Sequence, residues 1–122
     1  MRESLTLDFC NVSIYDNYMV VVINEGVTVL LKHNNILAEL AKDYFENKPF
    51  VYITHRLNSY SVDPNIYIET SKIDNLRGFA VVSKDYKARS NAEVEKMFLS
   101  KPFGIFSELE EAYEWANKMV KI

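Results

Sequence analysis

The chain has 122 residues, 48% of them hydrophobic and 25% charged, which is the length and apolar content of one globular domain. Its 14 Lys and Arg against 17 Asp and Glu leave a net charge of −3, a poor footprint for a nucleic-acid binder that must neutralise phosphates. One cysteine, Cys10, excludes an intrachain disulfide and a multi-cysteine zinc site, and the three glycines (Gly26, Gly78, Gly104) are too scattered for a phosphate-cradling loop.

Residues 1–8 are charged and alternating, without the apolar core of a signal peptide. Leu5, Leu7 and Phe9 alternate with polar neighbours, as do Val12 and Ile14, which predicts one or two short strands over 6–15. After the Asp16-Asn17 turn, the run from Tyr18 to Ile23 is β-branched and continuous, a strand covered on both faces. Its apolar stretch, 19–23, is far short of the ~18 residues of a membrane span. With a lone thiol and no export signal, the expectation is a soluble chain in a reducing cytoplasm. Asn24-Glu25-Gly26 is a turn, and 27–29 adds a short extended piece.

A helix is predicted over 30–46, with Ile36, Leu37, Leu40, Ala41, Tyr44 and Phe45 recurring every three to four residues. Asn47 suits the left-handed position after it, and Pro49 blocks continuation. The dense run 50–54 reads as a central parallel strand, and 55–62 as a polar loop. Asp63-Pro64 opens a helix predicted to end near Asn75. A strand over 79–83 precedes a helical stretch over 85–99, with a fresh start allowed at Ser90 by the Ser90–Glu93 capping spacing. Residues 103–106 form a short last strand. A final helix is capped by Ser107, with acids in its first turns, Leu109, Ala112, Tyr113, Ala116, Met119 and Val120 on its buried stripe, and Lys118 and Lys121 at its end. Four β-α units after an opening hairpin imply a single α/β domain over 1–122. Its sheet is mainly parallel with an antiparallel N-terminal edge.

This order, with segments Asn24-Glu25-Gly26-Val27-Thr28, Lys48 to Arg56 followed by Asp63-Pro64, and Lys101 to Ser107 leading to Glu111–Ala116, resembles the STAS family. These are the anti-sigma-factor-antagonist-like (SpoIIAA-like) domains, and the chain looks most similar to a bacterial branch of small stand-alone members. The resemblance implies a SpoIIAA-like sheet with helices covering it and a non-catalytic regulatory module that docks a protein partner. In some such domains a serine where the central strand meets the next helix is a phosphoswitch, usually within an Asp-Ser-Ser/Thr-Gly-like run. Here the equivalent region is Leu57 to Pro64, with serines Ser59 and Ser61 but neither that run nor a glycine.

The loop over 55–63 is the strongest site candidate, because parallel sheets meet ligands and partners at the carboxyl ends of their strands. It offers His55, Arg56, Asn58, Ser59, Tyr60, Ser61 and Asp63 for contact. Phosphate on Ser59 or Ser61 would lie near the following helix N-terminus and Arg56. The plainer alternative is that Ser61 and Asp63 cap that helix while the others solvate a loop. Tyr60, Tyr67 and Tyr86 fall in or near strand-end loops, where they could form an exposed patch. His55 as an acid or base lacks a nucleophile or carboxylate at a supporting spacing, so a small enzyme is the remotest reading. His33 has no ligand-spaced partner, and the acids from Glu108 to Glu114 are explained by the helix dipole, so no metal or cofactor is expected. Cys10 reads as an inert core thiol. A rival function is a small-molecule or lipid binder with an apolar cavity between sheet and helices. Self-association as a homodimer is a further arrangement open to a module of this kind.

Overall fold

The computed structural model describes residues 2–122. Three strands open the chain, β1 (Glu3–Thr6), β2 (Cys10–Ile14) and β3 (Tyr18–Ile23), paired antiparallel in sequence with Val12 opposite both Leu5 and Val21. A short strand β4 (Thr28–Val29) and helix α1 (Leu31–Phe45) lead to β5 (Phe50–His55). Then come β6 (Ser61–Val62), α2 (Ile66–Thr70), β7 (Leu76–Val82), α3 (Tyr86–Glu95) with a 3-10 turn (Lys96–Phe98), β8 (Phe103–Phe106) and α4 (Leu109–Met119). The main sheet runs β1-β2-β3-β5-β7-β8, with β3, β5, β7 and β8 mutually parallel, while β4 and β6 pair separately.

The strand order moves in one direction from β3 to β8. Right-handed crossovers therefore place α1, α2 and α3 on the same face of the sheet. The core agrees. Met19, Val21, Phe79 and Val81 share one cluster with Leu37 and Ala41 of α1, Ile66 and Tyr67 of α2, and Ala92 of α3. The alternate residues Val20, Val51, Ile53, Ala80 and Val82 pack on the opposite face against Ala112 and Ala116 of α4. Strand side chains alternate with period two, so strands buried on both faces read as unbroken apolar runs. Strand β2, uncovered on one side, alternates instead: Cys10, Val12 and Ile14 are buried, Asn11 is exposed and Ser13 half-buried.

Local signals explain most element ends. Helix α1 buries Leu37, Ala41 and Phe45, one residue per turn, while Ile36, expected on that stripe, is 48% exposed. Its left-handed terminal residue is Glu46 (φ 53°) rather than Asn47. Helix α3 runs unbroken through Ser90, because Asp85 already caps it by accepting the Ala88 N–H at 2.9 Å. Helix α4 is capped at Glu108, whose N–H donates to Glu111 at 3.0 Å, whereas the Ser107 hydroxyl takes a hydrogen bond from Arg89. Helix α2 is much shorter than the 63–75 expected. Beyond Thr70 the chain turns, and Asn75 donates to the carbonyls of Glu46 and Lys48, tying this turn to the end of α1. Gly78 and Gly104 make room for aromatic rings: a Cβ on Gly78 would come within 2.7 Å of the Trp115 indole, and one on Gly104 within 2.6 Å of the Phe106 ring.

The start of α1 carries a titratable cap. Its N-cap is Leu30, which has no side-chain acceptor, and the Leu30 N–H donates instead to Nδ1 of His33 at 2.9 Å. The ring also packs on Phe9, with centroids 4.6 Å apart. Only a neutral imidazole can accept at Nδ1. Burial, helped by the charge of Lys32, lowers the His33 pKa below its ordinary value. A lowered folded-state pKa means that this contribution is complete above the ordinary histidine value of about 6.5 and is lost on acidification. Urea unfolding at pH 7.5 and 5.5 should therefore show lower stability at the acid end. His33→Gln, which keeps an acceptor without titrating, should flatten that slope, and an unchanged slope would remove His33 as its source.

Candidate functional site

The carboxyl ends of β5, β7 and β8 lie side by side. The strand order does not reverse, so they form a continuous rim rather than the split crevice that a reversal opens. Of the residues expected to act here, several are held within the structure. The Asn58 amide donates to the Ile23 carbonyl at 2.9 Å. The Ser59 N–H donates to the Glu25 carboxylate at 2.7 Å, and its carbonyl accepts the Gly26 N–H at 2.8 Å. Gly26 has φ 79°, a left-handed turn that suits glycine. Ser61 lies in β6, opposite Thr28, so part of the expected loop is a strand. Asp63 accepts the Asn65 N–H at 3.1 Å in the turn before α2.

Arg56 is not free to meet a ligand. Its Nη1 donates to Glu95 Oε2 at 3.0 Å and its Nη2 to Glu95 Oε1, with only 6% and 10% of the two side chains exposed. The Tyr67 hydroxyl donates to the same Glu95 oxygen. The guanidinium lies over the Tyr60 ring, 5.4 Å from its centroid, and the Tyr60 hydroxyl is 2.9 Å from Thr54 Oγ1. Burial opposes the arginine charge, but the hydrogen bonds and charge of Glu95 more than offset it and raise the pKa, so the guanidinium stays protonated. Burial, and then the charge of Glu95, push the Tyr67 phenol well up, keeping it a donor. This cluster joins the end of β5 to α2 and α3. Glu95, Tyr67 and Thr54 were not expected in it. The signal for Glu95 was present: it follows Ala88 and Ala92 at helical spacing on the inner face, and an acid there requires a buried cation.

Tyr67, expected on an exposed patch, is 1% exposed, and Tyr60 is half-buried; of the three tyrosines only Tyr86 is open. The five-residue α2 is also too short to supply the helix N-terminus expected beside a phosphate. Three residues of this segment are exposed: Leu57, Ser59 and Ser61. Leu57, 66% exposed, borders two grooves and was missed because a single leucine in a polar loop carries no pattern. One groove, of about 500 Å³, runs past Ser59, Ser61, Asp85, Lys87 and Asn91. The other, of about 510 Å³, runs past half-buried His55, Ser83, Ser107 and Glu108. Burial lowers the His55 pKa, and the charge of Glu108 works against that shift. Lys84 bridges to Glu108 at 2.8 Å across this second groove.

Cys10 is fully buried, and burial pushes its thiol up to about 12. Among the described residues no group of three or more His, Cys, Asp or Glu side chains is placed to hold a metal ion. No helix among them is long and apolar enough to cross a membrane.

No protein family matches the sequence, and no curated protein matches it either. Among solved structures, the chain is similar to an uncharacterized protein of the DUF3478 family from Shewanella loihica PV-4, described as having a SpoIIAA-like fold. The TM-score is 0.59 at 10% identity, over 88% of this chain and 91% of that one. The present chain has a SpoIIAA-like fold. At that identity the likeness speaks for the architecture: a mostly parallel sheet with an antiparallel N-terminal hairpin and four helices.

The buried cluster makes a quantitative prediction. Arg56→Ala or Glu95→Ala strands one charge in the core and should cost about 3–5 kcal/mol in urea unfolding. Replacing both at once with Arg56→Met and Glu95→Leu should restore most of that loss, since no unpaired charge remains. Single variants as stable as the parent would show that the pair is not buried in solution.

Proposed function

We propose that this SpoIIAA-like chain is a non-catalytic docking module whose partner protein binds the rim at the carboxyl ends of β5 and β7. The observation that supports this reading most is Leu57. It is a large apolar side chain, 66% exposed, between two polar grooves and carried on a loop whose neighbours Asn58, Ser59 and Ser61 are all fixed by hydrogen bonds. An apolar anchor surrounded by polar groups on a rigid support is the anatomy of an interaction hot spot. A rim that is already ordered loses little freedom on binding. Ser59 and Ser61 are the exposed hydroxyls of this surface and share their groove with Lys87. Phosphate on either would change the charge of the docking face beside that lysine, which is a route to regulation of a cytoplasmic partner. Affinity capture from the source cells with the parent protein and with Leu57→Ser tests the reading. The expected result is a partner held by the parent and lost by the variant, with both proteins equally stable. Identical capture by the two would overturn it.

A second reading has an observation of its own. Between the sheet and helices α1 and α2 lies a cavity of about 40 Å³, lined by apolar side chains including Met19, Leu37 and Ile66, and by Arg56, Thr54 and Tyr60. Arg56 Nε is buried there without a hydrogen-bond partner. A volume of that size holds a few water molecules, so a lipid would enter only if α1 or α2 moved outward. Native mass spectrometry of the purified protein should give the bare chain mass under the docking reading. A reproducible ligand adduct, abolished by filling the cavity with Ala41→Leu, would favour the binder instead.

A further inference from the structure

Helix α3 is attached to the domain by a narrow inner edge. Ala92 and Glu95 are its buried residues, Glu95 through Arg56 and Tyr67. Its N-terminus is held by Asp85, and Arg89 Nη1 donates to the Ser83 carbonyl and the Ser107 hydroxyl, each at 3.0 Å. None of these attachments uses the apolar side chains on its outer face. Tyr86 is 84% exposed, Val94 57% and Met97 82%. At 100° per residue, Tyr86, Ser90, Val94 and Met97 fall within an arc of about 80°. They form a continuous outer stripe along α3 and the 3-10 turn, and Phe98, 41% exposed, lies at its end.

The charge around this stripe is opposite to that of the chain. Residues 84–101 carry five cations and three acids, a net +2, within a chain of net −3. With Glu95 buried against Arg56 and Lys84 paired with Glu108, four cations remain against two acids, so the balance stays at +2. We infer that the outer face of α3 is a second part of the docking surface and takes an acidic amphipathic helical segment of a partner protein. That segment would lay its apolar face on Tyr86, Val94 and Met97, with its carboxylates over Lys87 and Lys96. This deepens the docking function proposed above and rests on it. A protein segment fits better than an anionic membrane. Glu93 flanks Tyr86 about 20° outside that arc, and a helical segment can hold its own carboxylates away from it where a uniformly anionic lipid surface cannot. The cations are also fewer and more dispersed than the clusters that hold helices on such lipid.

The test uses the full chain and a synthetic helical peptide of about 18 residues with a leucine face and a glutamate face. Fluorescence anisotropy should show saturable binding that weakens as salt is raised, with amide shifts concentrated over residues 86–98. Tyr86→Ser with Met97→Ser should weaken it about tenfold or more without changing the thermal midpoint, since both side chains are exposed. Absence of saturation at about 1 mM peptide would overturn the inference. So would unchanged affinity of the double variant, or binding only to phosphatidylcholine vesicles with about 30% phosphatidylserine. The two parts of the surface separate cleanly. A natural partner lost with Leu57→Ser but kept by Tyr86→Ser with Met97→Ser leaves the rim and removes the stripe; the converse leaves the stripe and removes the rim.

Discussion

Successive parallel strands in this sheet are laid down in one direction, and crossovers between parallel strands have one hand. Together these two constraints load three helices onto one face. The opposite face, with Val51, Ile53, Ala80 and Val82, would be bare without the last eleven-residue helix, whose Ala112 and Ala116 close over it. Small residues at those positions let the helix approach closely, and Gly78 in β7 admits the Trp115 ring. Where α4 does not reach, the meander supplies its own polar surface through Asn11 and Ser13. The constraint also shapes the carboxyl ends of the strands. Without a reversal of strand order the strand ends make a continuous rim rather than a split crevice.

Electrostatics decides how that rim is built. Arg56, one residue past the central strand, is drawn inward to Glu95 rather than displayed. A charged pair out of water is a costly element unless each group is well matched, and here the second hydrogen bond and the Tyr67 hydroxyl supply most of the match, leaving only Arg56 Nε without a partner. Because this pair and the Arg89 contacts hold α3, the helix needs little apolar inner surface, and its apolar residues remain outward. The same interaction that draws Arg56 inward thereby leaves the α3 stripe exposed. The 55–63 segment becomes rigid for a related reason. Its polar side chains and backbone groups are bonded to the β3–β4 turn, so only Leu57, Ser59 and Ser61 remain exposed.

Much of the architecture was readable because it rests on local periodicity. The alternation in β2, the continuous run of β3, the three-to-four spacing of α1 and the acidic first turn of α4 each report a nearby pattern of burial. Errors arose where a local signal had a competitor. Ser90 and Ser107 carry capping spacings, but Asp85 and Glu108 occupy those helix starts. Asp63-Pro64 promised a long helix, yet only five residues after Asn65 are helical before the chain turns to bring Asn75 against the end of α1.

By itself, the amino-acid sequence determined most of the elements, their order and the parallel α/β class, though not β6, because these follow from spacings of three to four residues in helices and two in strands. Tertiary structure alone decided the pairing of β4 with β6, the union of Arg56 with a glutamate 39 residues away, and the burial of Tyr67 while Tyr86 stays exposed. Those outcomes depend on contacts between distant segments, and whether a polar side chain faces solvent or a buried partner is settled only when the chain has closed around it.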